Sequence, residues 1–157
     1  MAQHLASVGY GVSVIPYYKG VFAKALEYDC VVAMMACGIV VRECCPHLKD
    51  KWTDAAIVVV DDAHTFAISL LGGHHGANEI AEALSEIGLV PVITTATSAQ
   101  GRPSVEEIAK RLDCYIVNKQ STKHVNLSLL EVDVDVLELH GPKIVVVDDD
   151  VAVLKRG

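Results

Sequence analysis

Two adjacent histidines stand in a glycine-rich stretch, Gly72-Gly73-His74-His75-Gly76, between an apolar run and a helical pattern. Histidine titrates near neutral pH, so either ring can act as a general acid or base. The glycines let a ligand approach the backbone closely. In an extended segment the two rings cannot point the same way, so one is expected to face a crevice while the other packs or caps. For each ring, a structural use stays as open as a functional one.

A cationic side chain, Arg42, precedes this stretch and offers a second kind of chemistry. Its guanidinium either pairs with a carboxylate of the protein, such as Glu43 or Asp54, or binds a ligand carboxylate through two hydrogen bonds. Both readings stay open. Asn78, at the start of the helical pattern, is a residue type that caps helices, and capping is its expected use.

Three threonines follow a later apolar run and could bind a polar group with their hydroxyls or simply end a strand. They are Thr94, Thr95 and Thr97. Lys51 and Trp52 lie in a polar turn between two apolar runs. Trp52 is expected to pack against the protein, and Lys51 is expected to point to solvent.

Short apolar runs alternate with helical patterns along the chain. Strands are predicted at residues 11–16, 30–35, 55–62, 64–71, 89–95 and 114–118. The runs 55–62 and 64–71 flank a tight polar turn and are expected to pair as a hairpin. Helices are predicted at residues 19–29, 39–46, 77–87 and 104–112, the last of them with a capping box formed by Ser104 and Glu107.

This alternation predicts an α/β fold, with three layers in the order α/β/α and a mostly parallel sheet, over residues 1–118. Residues 119–157 are expected to form a small β-rich C-terminal segment. Within that segment, residues 131–139 alternate with period two, and residues 140–149 look like a turn and a last strand.

Three loops follow predicted strands, at Ala36–Arg42, Gly72–Asn78 and Thr94–Arg102. In open α/β sheets, ligands bind beyond the carboxyl ends of the strands, so the three loops are expected to share one edge of the sheet. Two of them lead into helices, whose first N–H groups favour anions. No dinucleotide, Walker or nucleophile-elbow motif is present. The residues therefore predict binding of an anionic or carboxylate-bearing small molecule, with histidine chemistry as an option.

The composition restricts the class of protein. The 157 residues are 52% hydrophobic and carry a net charge of −7, as expected for a folded domain that does not bind nucleic acid. No apolar run reaches the roughly 18 residues that span a bilayer, and the N-terminus does not look like a signal peptide. The five cysteines lack C-x-x-C spacing and are expected to be free thiols rather than metal ligands. A cytoplasmic protein is the expectation.

Several separated motifs resemble the N-terminal domain of the CbiG family of cobalamin biosynthesis. They are Gly-Ile-Val-Val-Arg at Gly38–Arg42, the stretch Lys49–Asp54, the strand Ile57–Asp62, the loop Leu70–Asn78 and the stretch Val92–Thr97. The resemblance extends from about Val12 to Thr97. Residues 98–157 are similar to the family's middle segment, less distinctively.

This resemblance implies an activity, cobalt-precorrin-5A hydrolysis in the anaerobic pathway. The δ-lactone of the substrate is opened and acetaldehyde is released, which gives cobalt-precorrin-5B. No cofactor is implied, because the cobalt is carried by the substrate. The catalytic residues would be His74 and His75. The substrate-binding residues would be Gly38, Arg42, Gly72, Gly73, Gly76, Asn78, Thr94, Thr95 and Thr97.

The sequence also departs from the family pattern. Cys37 stands where many relatives have a serine-type residue, and the loop reads Gly-Gly-His-His-Gly, whose register favours His74 as the key histidine. Full-length relatives carry a further C-terminal domain, which this chain is expected to lack.

The expected partners are therefore the cobalt-bearing tetrapyrrole and a separate protein of the C-terminal type. Homo-oligomerisation stays open, and neither nucleic acid nor membrane is expected. The alternative function is a non-catalytic corrinoid-binding or carrier subunit.

Overall fold

The computed structural model describes residues 1–95, 101–140 and 150–156. The chain divides into two units, Met1–Thr94 and Thr95–Gly157, each with a sheet of its own. The sequence pattern instead puts the boundary after Asn118, because it assigns the strand at 114–118 to the main sheet. That strand pairs within the second unit, which explains the difference.

The first unit is built on a four-stranded sheet. Its strands, in the spatial order β1-β2-β3-β4, are β1 (Cys30–Met34), β2 (Ala56–Val60), β3 (Phe66–Leu71) and β4 (Val90–Val92). β1 is parallel to β2, and β3 is parallel to β4. β2 and β3 are antiparallel, as the predicted hairpin requires. The prediction of a mostly parallel sheet is confirmed.

Helices cover both faces of this sheet, which confirms the three-layer prediction. They are α1 (Ala2–Ser7), α2 (Phe22–Ala25), α3 (Cys37–Cys44) and α4 (Ala77–Ser85). All five residues of β2 are buried, and its side chains alternate between the two faces. Ala56, Val58 and Val60 belong to one core with α1 and α4. Ile57 and Val59 belong to a second core with α2 and α3.

The second unit contains α5 (Val105–Arg111), α6 (Thr122–Glu131) and the antiparallel pair β5 (Cys114–Ile116) and β6 (Leu154–Arg156). Val105, Val125 and Leu129 form its small core. The predicted capping box is confirmed: the amide of Glu107 donates to the Ser104 hydroxyl at 3.1 Å, and the Ser104 amide donates to the Glu107 carboxylate at 2.9 Å.

Several predicted elements are wrong. Residues 11–16 form no strand and lie in neither sheet. The helix predicted over residues 19–29 is only α2, because Gly20 has a positive φ of 86° and a turn precedes Phe22. Residues 132–139 alternate as predicted but are exposed and form no strand. The strand predicted at 140–149 lies almost wholly outside the described residues.

The turn between β2 and β3 is held by a carboxylate. Asp61 Oδ1 accepts hydrogen bonds from the amides of Phe66 at 2.6 Å and Thr65 at 2.8 Å. These N–H groups, that of Phe66 most strongly, lower the pKa of Asp61, because they stabilise its ionised form. The turn therefore fixes where the chain reverses.

Because of the reversal, different strands begin and finish at the two ends of the sheet. At one, which we call the Asp61 edge, β1 and β2 end and β3 and β4 begin. At the other, which we call the histidine edge, β1 and β2 begin and β3 and β4 end. The Gly-Gly-His-His-Gly loop follows Leu71 and so lies at the histidine edge.

We expect the stabilising effect of Asp61 to depend on pH. Because its pKa is lower in the folded protein, its contribution is fully present above its ordinary pKa of 3.8 and is lost as the pH falls through the lowered value. Asp61→Ala should therefore lower the free energy of unfolding at pH 7, and the difference from wild type should shrink below pH 3.8. Urea unfolding across this range measures it. Asp62→Ala, at the exposed neighbouring position, is the control, and a difference that does not vary with pH would contradict the prediction.

Candidate functional site

The histidine loop is held tightly against the start of β2. Gly72 has φ 68° and ψ 38°, in the left-handed region. A Cβ at this position would lie 2.8 Å from Ala56 Cα, closer than real Cβ atoms come, and 3.1 Å from Ala56 Cβ, which is also a tight contact. Glycine is thus required here for conformation and for space.

The loop's own hydrogen bonds limit what it can offer a ligand. The carbonyl oxygen of Gly72 accepts from the amides of His75 at 2.8 Å and Ala77 at 3.2 Å. Gly73–His75 form a single 3-10 turn, and Gly76 then begins α4 with a φ of 117°. Two of the amides expected to face an anion are therefore already used within the loop.

The two histidines differ in their surroundings. His74 is half-buried and His75 is exposed. The ring of His75 meets that of Trp52 almost at a right angle, with the centroids 5.7 Å apart and the planes at 79°. Aromatic pairs favour such an arrangement. This ring contact joins His75 to the loop preceding β2.

That preceding loop, residues 49–54, is built on two aspartates. Asp54 accepts hydrogen bonds from the amides of Lys49 and Asp50, each at 2.9 Å. Asp50 accepts from the amide of Trp52, also at 2.9 Å. Asp54 is therefore occupied by backbone donors and does not pair with Arg42, one of the options left open by the sequence.

Lys51 and Trp52 lie between these aspartates, and the sequence analysis did not include them among the candidate site residues. Trp52 is half-buried, and the ammonium of Lys51 lies 4.3 Å from the centroid of its indole. Lys51 thus covers an aromatic ring rather than only pointing to solvent. The signal that could have found them is the spacing of Asp50 and Asp54, since carboxylates that bind nearby amides fix a loop and what it carries.

An open depression of about 310 Å³ lies at the histidine edge. It is lined by residues 26–29, which lead into β1, by residues 52–55, which lead into β2, and by His75. The lining is partly acidic, through Glu27, Asp29 and Asp54. Histidine, indole and carboxylate groups therefore meet at one place, which makes this depression the candidate site.

Asn78 and the threonines have other positions. Asn78 is buried and its side-chain oxygen accepts from the Ser69 hydroxyl at 2.7 Å, which ties α4 to β3. The residue at the cap of α4 is Gly76, so the expected capping use of Asn78 is wrong. Thr94 follows β4 at the histidine edge and is exposed. Thr95 falls in the second unit, and Thr97 lies outside the described residues.

The expectation that three loops share one edge is wrong for Gly38 and Arg42. α3 begins where β1 ends, at the Asp61 edge, whereas the histidine loop follows β3, which runs the opposite way. The guanidinium of Arg42 donates to the carbonyl oxygen of Gly38 at 3.2 Å and is exposed. The structure therefore does not bring Gly38 and Arg42 together with His74 and His75.

The described residues contain no group of three or more histidine, cysteine, aspartate or glutamate side chains that could hold a metal ion. All five cysteines are free. Burial, with the nearby charges of Asp29 and Glu79, raises the pKa of Cys30 to about 11, so this thiol stays protonated at neutral pH. Over the same described ranges, no helix has the length and apolar character that crossing a membrane requires.

Comparison with known proteins gives one family and a consistent set of relatives. Residues 21–98 match the family described as cobalamin synthesis G N-terminal. The chain is 36% identical over 120 residues to the cobalt-precorrin-5A hydrolase of Priestia megaterium, covering 74% of this chain and 32% of that protein. It is 36% identical over 106 residues to the cobalt-precorrin-5A hydrolase of Salmonella typhimurium, covering 66% of this chain and 30% of that protein. The chain thus spans about a third of the length of these relatives.

A solved structure shows the same fold. The crystal structure of a cobalamin biosynthesis protein G homologue from Sulfolobus solfataricus superposes with a TM-score of 0.56 and is 32% identical in sequence. The match covers 90% of this chain and 45% of that one. It supports the α/β architecture on which the candidate site is built.

We expect Gly72→Ala to destabilise the first unit. The left-handed conformation costs an L side chain about 1–2 kcal/mol, and the methyl group would also clash with the backbone of Ala56. The free energy of unfolding should fall by about 2 kcal/mol or more. Gly38→Ala is the matched control: its Cβ would be 3.6 Å from Arg42 Nη1, within α3, so it should be neutral or stabilise by up to about 1 kcal/mol. Equal melting temperatures for the two variants would contradict this.

Proposed function

Residues 21–98 of the chain belong to the cobalamin synthesis G N-terminal family, and from this premise we propose that the protein acts in the anaerobic pathway of cobalamin biosynthesis as a cobalt-precorrin-5A hydrolase. The observation that carries the proposal is the position of the family match. It includes both the histidine loop and residues 49–54, the two loops that meet through His75 and Trp52. Because both curated relatives are named hydrolases, a non-catalytic carrier subunit is not favoured.

The proposed reaction consumes one water. Water adds to the lactone carbonyl carbon, and the bond between that carbon and the ring oxygen breaks. The oxygen stays, as a hydroxyl, on the methyl-bearing carbon that later leaves as acetaldehyde. Loss of the hydroxyl proton forms the carbonyl of acetaldehyde, and the carbon–carbon bond to the macrocycle breaks. The conjugated macrocycle takes the electron pair. The protein has to take a proton from water and later from the hydroxyl, which suits a histidine.

His74 and His75 are the proposed bases, for different reasons. The family register favours His74, whereas the lining of the depression favours His75. No resident cofactor is part of the proposal, because the cobalt arrives with the substrate. Because the matched region is about a third of the length of the curated relatives, we also propose that full activity needs the part of those relatives that lies outside the matched region. A cytoplasmic location, supported by the free cysteines, completes the proposal.

The test is acetaldehyde release from cobalt-precorrin-5A, with and without a C-terminal-type protein. We expect the double variant His74→Ala/His75→Ala to lower the release rate by about 10²–10⁴-fold, the usual size of general acid–base catalysis, while substrate still binds. The single variants then separate the two histidines. His124→Ala, on an exposed position of α6, is the control. Wild-type rates in the double variant would show that the base lies elsewhere, and no release by wild type under either condition would overturn the proposed function.

A further inference from the structure

We propose that Trp52 and Lys51 form the surface on which the substrate lies, with the indole against the flat face of the tetrapyrrole and the Lys51 ammonium on one of its peripheral carboxylates. This inference rests on the proposed function and deepens it, because it assigns recognition of the macrocycle to two residues that take no part in the proton transfers. It concerns positioning and specificity, not chemistry.

The first support is that the loop is held in shape by its own hydrogen bonds. Three amides of the loop, those of Lys49, Asp50 and Trp52, already donate to the carboxylates of Asp54 and Asp50. A loop fixed in this way loses little conformational freedom when it binds a ligand. Trp52 is therefore presented in a defined position rather than recruited on binding.

The second support is the environment of the indole. His75 meets Trp52 nearly perpendicularly, so the two rings are not stacked on each other. The Lys51 ammonium lies over the indole ring, 4.3 Å from its centroid. A cation over an aromatic ring at a partly exposed site is held weakly. A flat, apolar macrocycle can take its place, and the released ammonium can then pair with a carboxylate at the macrocycle's rim.

The third support is the distribution of charge. The protein carries a net charge of −7, and Glu27 and Asp29 line the same depression as Trp52. These carboxylates repel a substrate that bears several carboxylates of its own, while Lys51 attracts it from the side of residues 49–54. Asp54 also lies on that side, but its carboxylate already accepts the amides of Lys49 and Asp50. Repulsion on one side and attraction on the other would fix the orientation in which the macrocycle lies. The lactone would then be presented towards His75.

Equilibrium dialysis of the whole chain tests this, with cobyrinic acid as a carboxylate-bearing cobalt corrinoid and its heptamethyl ester as an uncharged one. Trp52→Ala should weaken the binding of both by about tenfold or more, the scale of a lost aromatic anchor, and Trp52→Phe should restore most of it. Lys51→Met should weaken binding of the acid alone, and Lys51→Arg should behave as wild type. Circular dichroism melting checks that each variant is folded.

A matched pair in the second unit provides the control. The ammonium of Lys155 lies 5.9 Å from the ring of Tyr115, so Lys155→Met and Tyr115→Ala remove the same kinds of group and should leave both affinities unchanged. Folded Trp52 and Lys51 variants that bind both probes as wild type does would overturn the inference, as would a wild-type chain that binds neither probe. Wild-type acetaldehyde release together with an unchanged KM in Trp52→Ala would overturn the inference while the proposed function stands.

Discussion

The carboxylate of Asp61 holds the turn on which the arrangement of the first unit depends. By accepting the amides of Thr65 and Phe66, it fixes where the chain reverses after the buried strand β2. The reversal makes β3 run against β2, so the loop that leaves β3 reaches the point where β2 begins. Only this direction places Gly72 beside Ala56 and His75 beside Trp52.

The candidate site is assembled from loops that are each fixed by their own hydrogen bonds. Carboxylates of Asp50 and Asp54 hold the loop before β2, and the Gly72 carbonyl holds the histidine loop. The close approach of Gly72 to Ala56 then sets the distance between the two loops. Because β2 is buried on both faces, it is a rigid base for both of them. Such a base is what a site needs when a large, flat ligand and a proton-transferring side chain must be aligned.

Local patterns in the sequence were sufficient to predict several individual strands and helices. The apolar runs predicted β1 and β2, the helical spacing predicted α4, and Ser104 with Glu107 predicted the start of α5, because each signal depends on neighbours in the chain. Residues 11–16 show where such local signals stop being sufficient, since a strand-like pattern becomes a strand only where a partner strand lies beside it. The same limit applies to residues 132–139.

The arrangement of the site could not be predicted in the same way, although part of the information was present. The tight turn at Asp61 predicted a hairpin, and the two strands of a hairpin are antiparallel. Because β1 is parallel to β2 and β3 runs against β2, the loop after β1 and the loop after β3 cannot lie at the same edge. The side on which Gly38 and Arg42 lie follows from that pairing. Trp52 was expected to pack against the protein, but its place beside the histidine loop was not predicted, because its contact with His75 joins residues that are distant in the chain.

The placement of the Asp61 turn has a practical consequence for handling the protein. β2 has five residues, so the turn is separated from the histidine loop by roughly 17 Å of extended chain. The methyl group of Ala63, within that turn, is exposed. A dye, a spin label or a tether to a sensor surface attached at Ala63 would therefore leave the depression facing solution. The protein could be immobilised in one orientation, with its tryptophan available as an optical reporter.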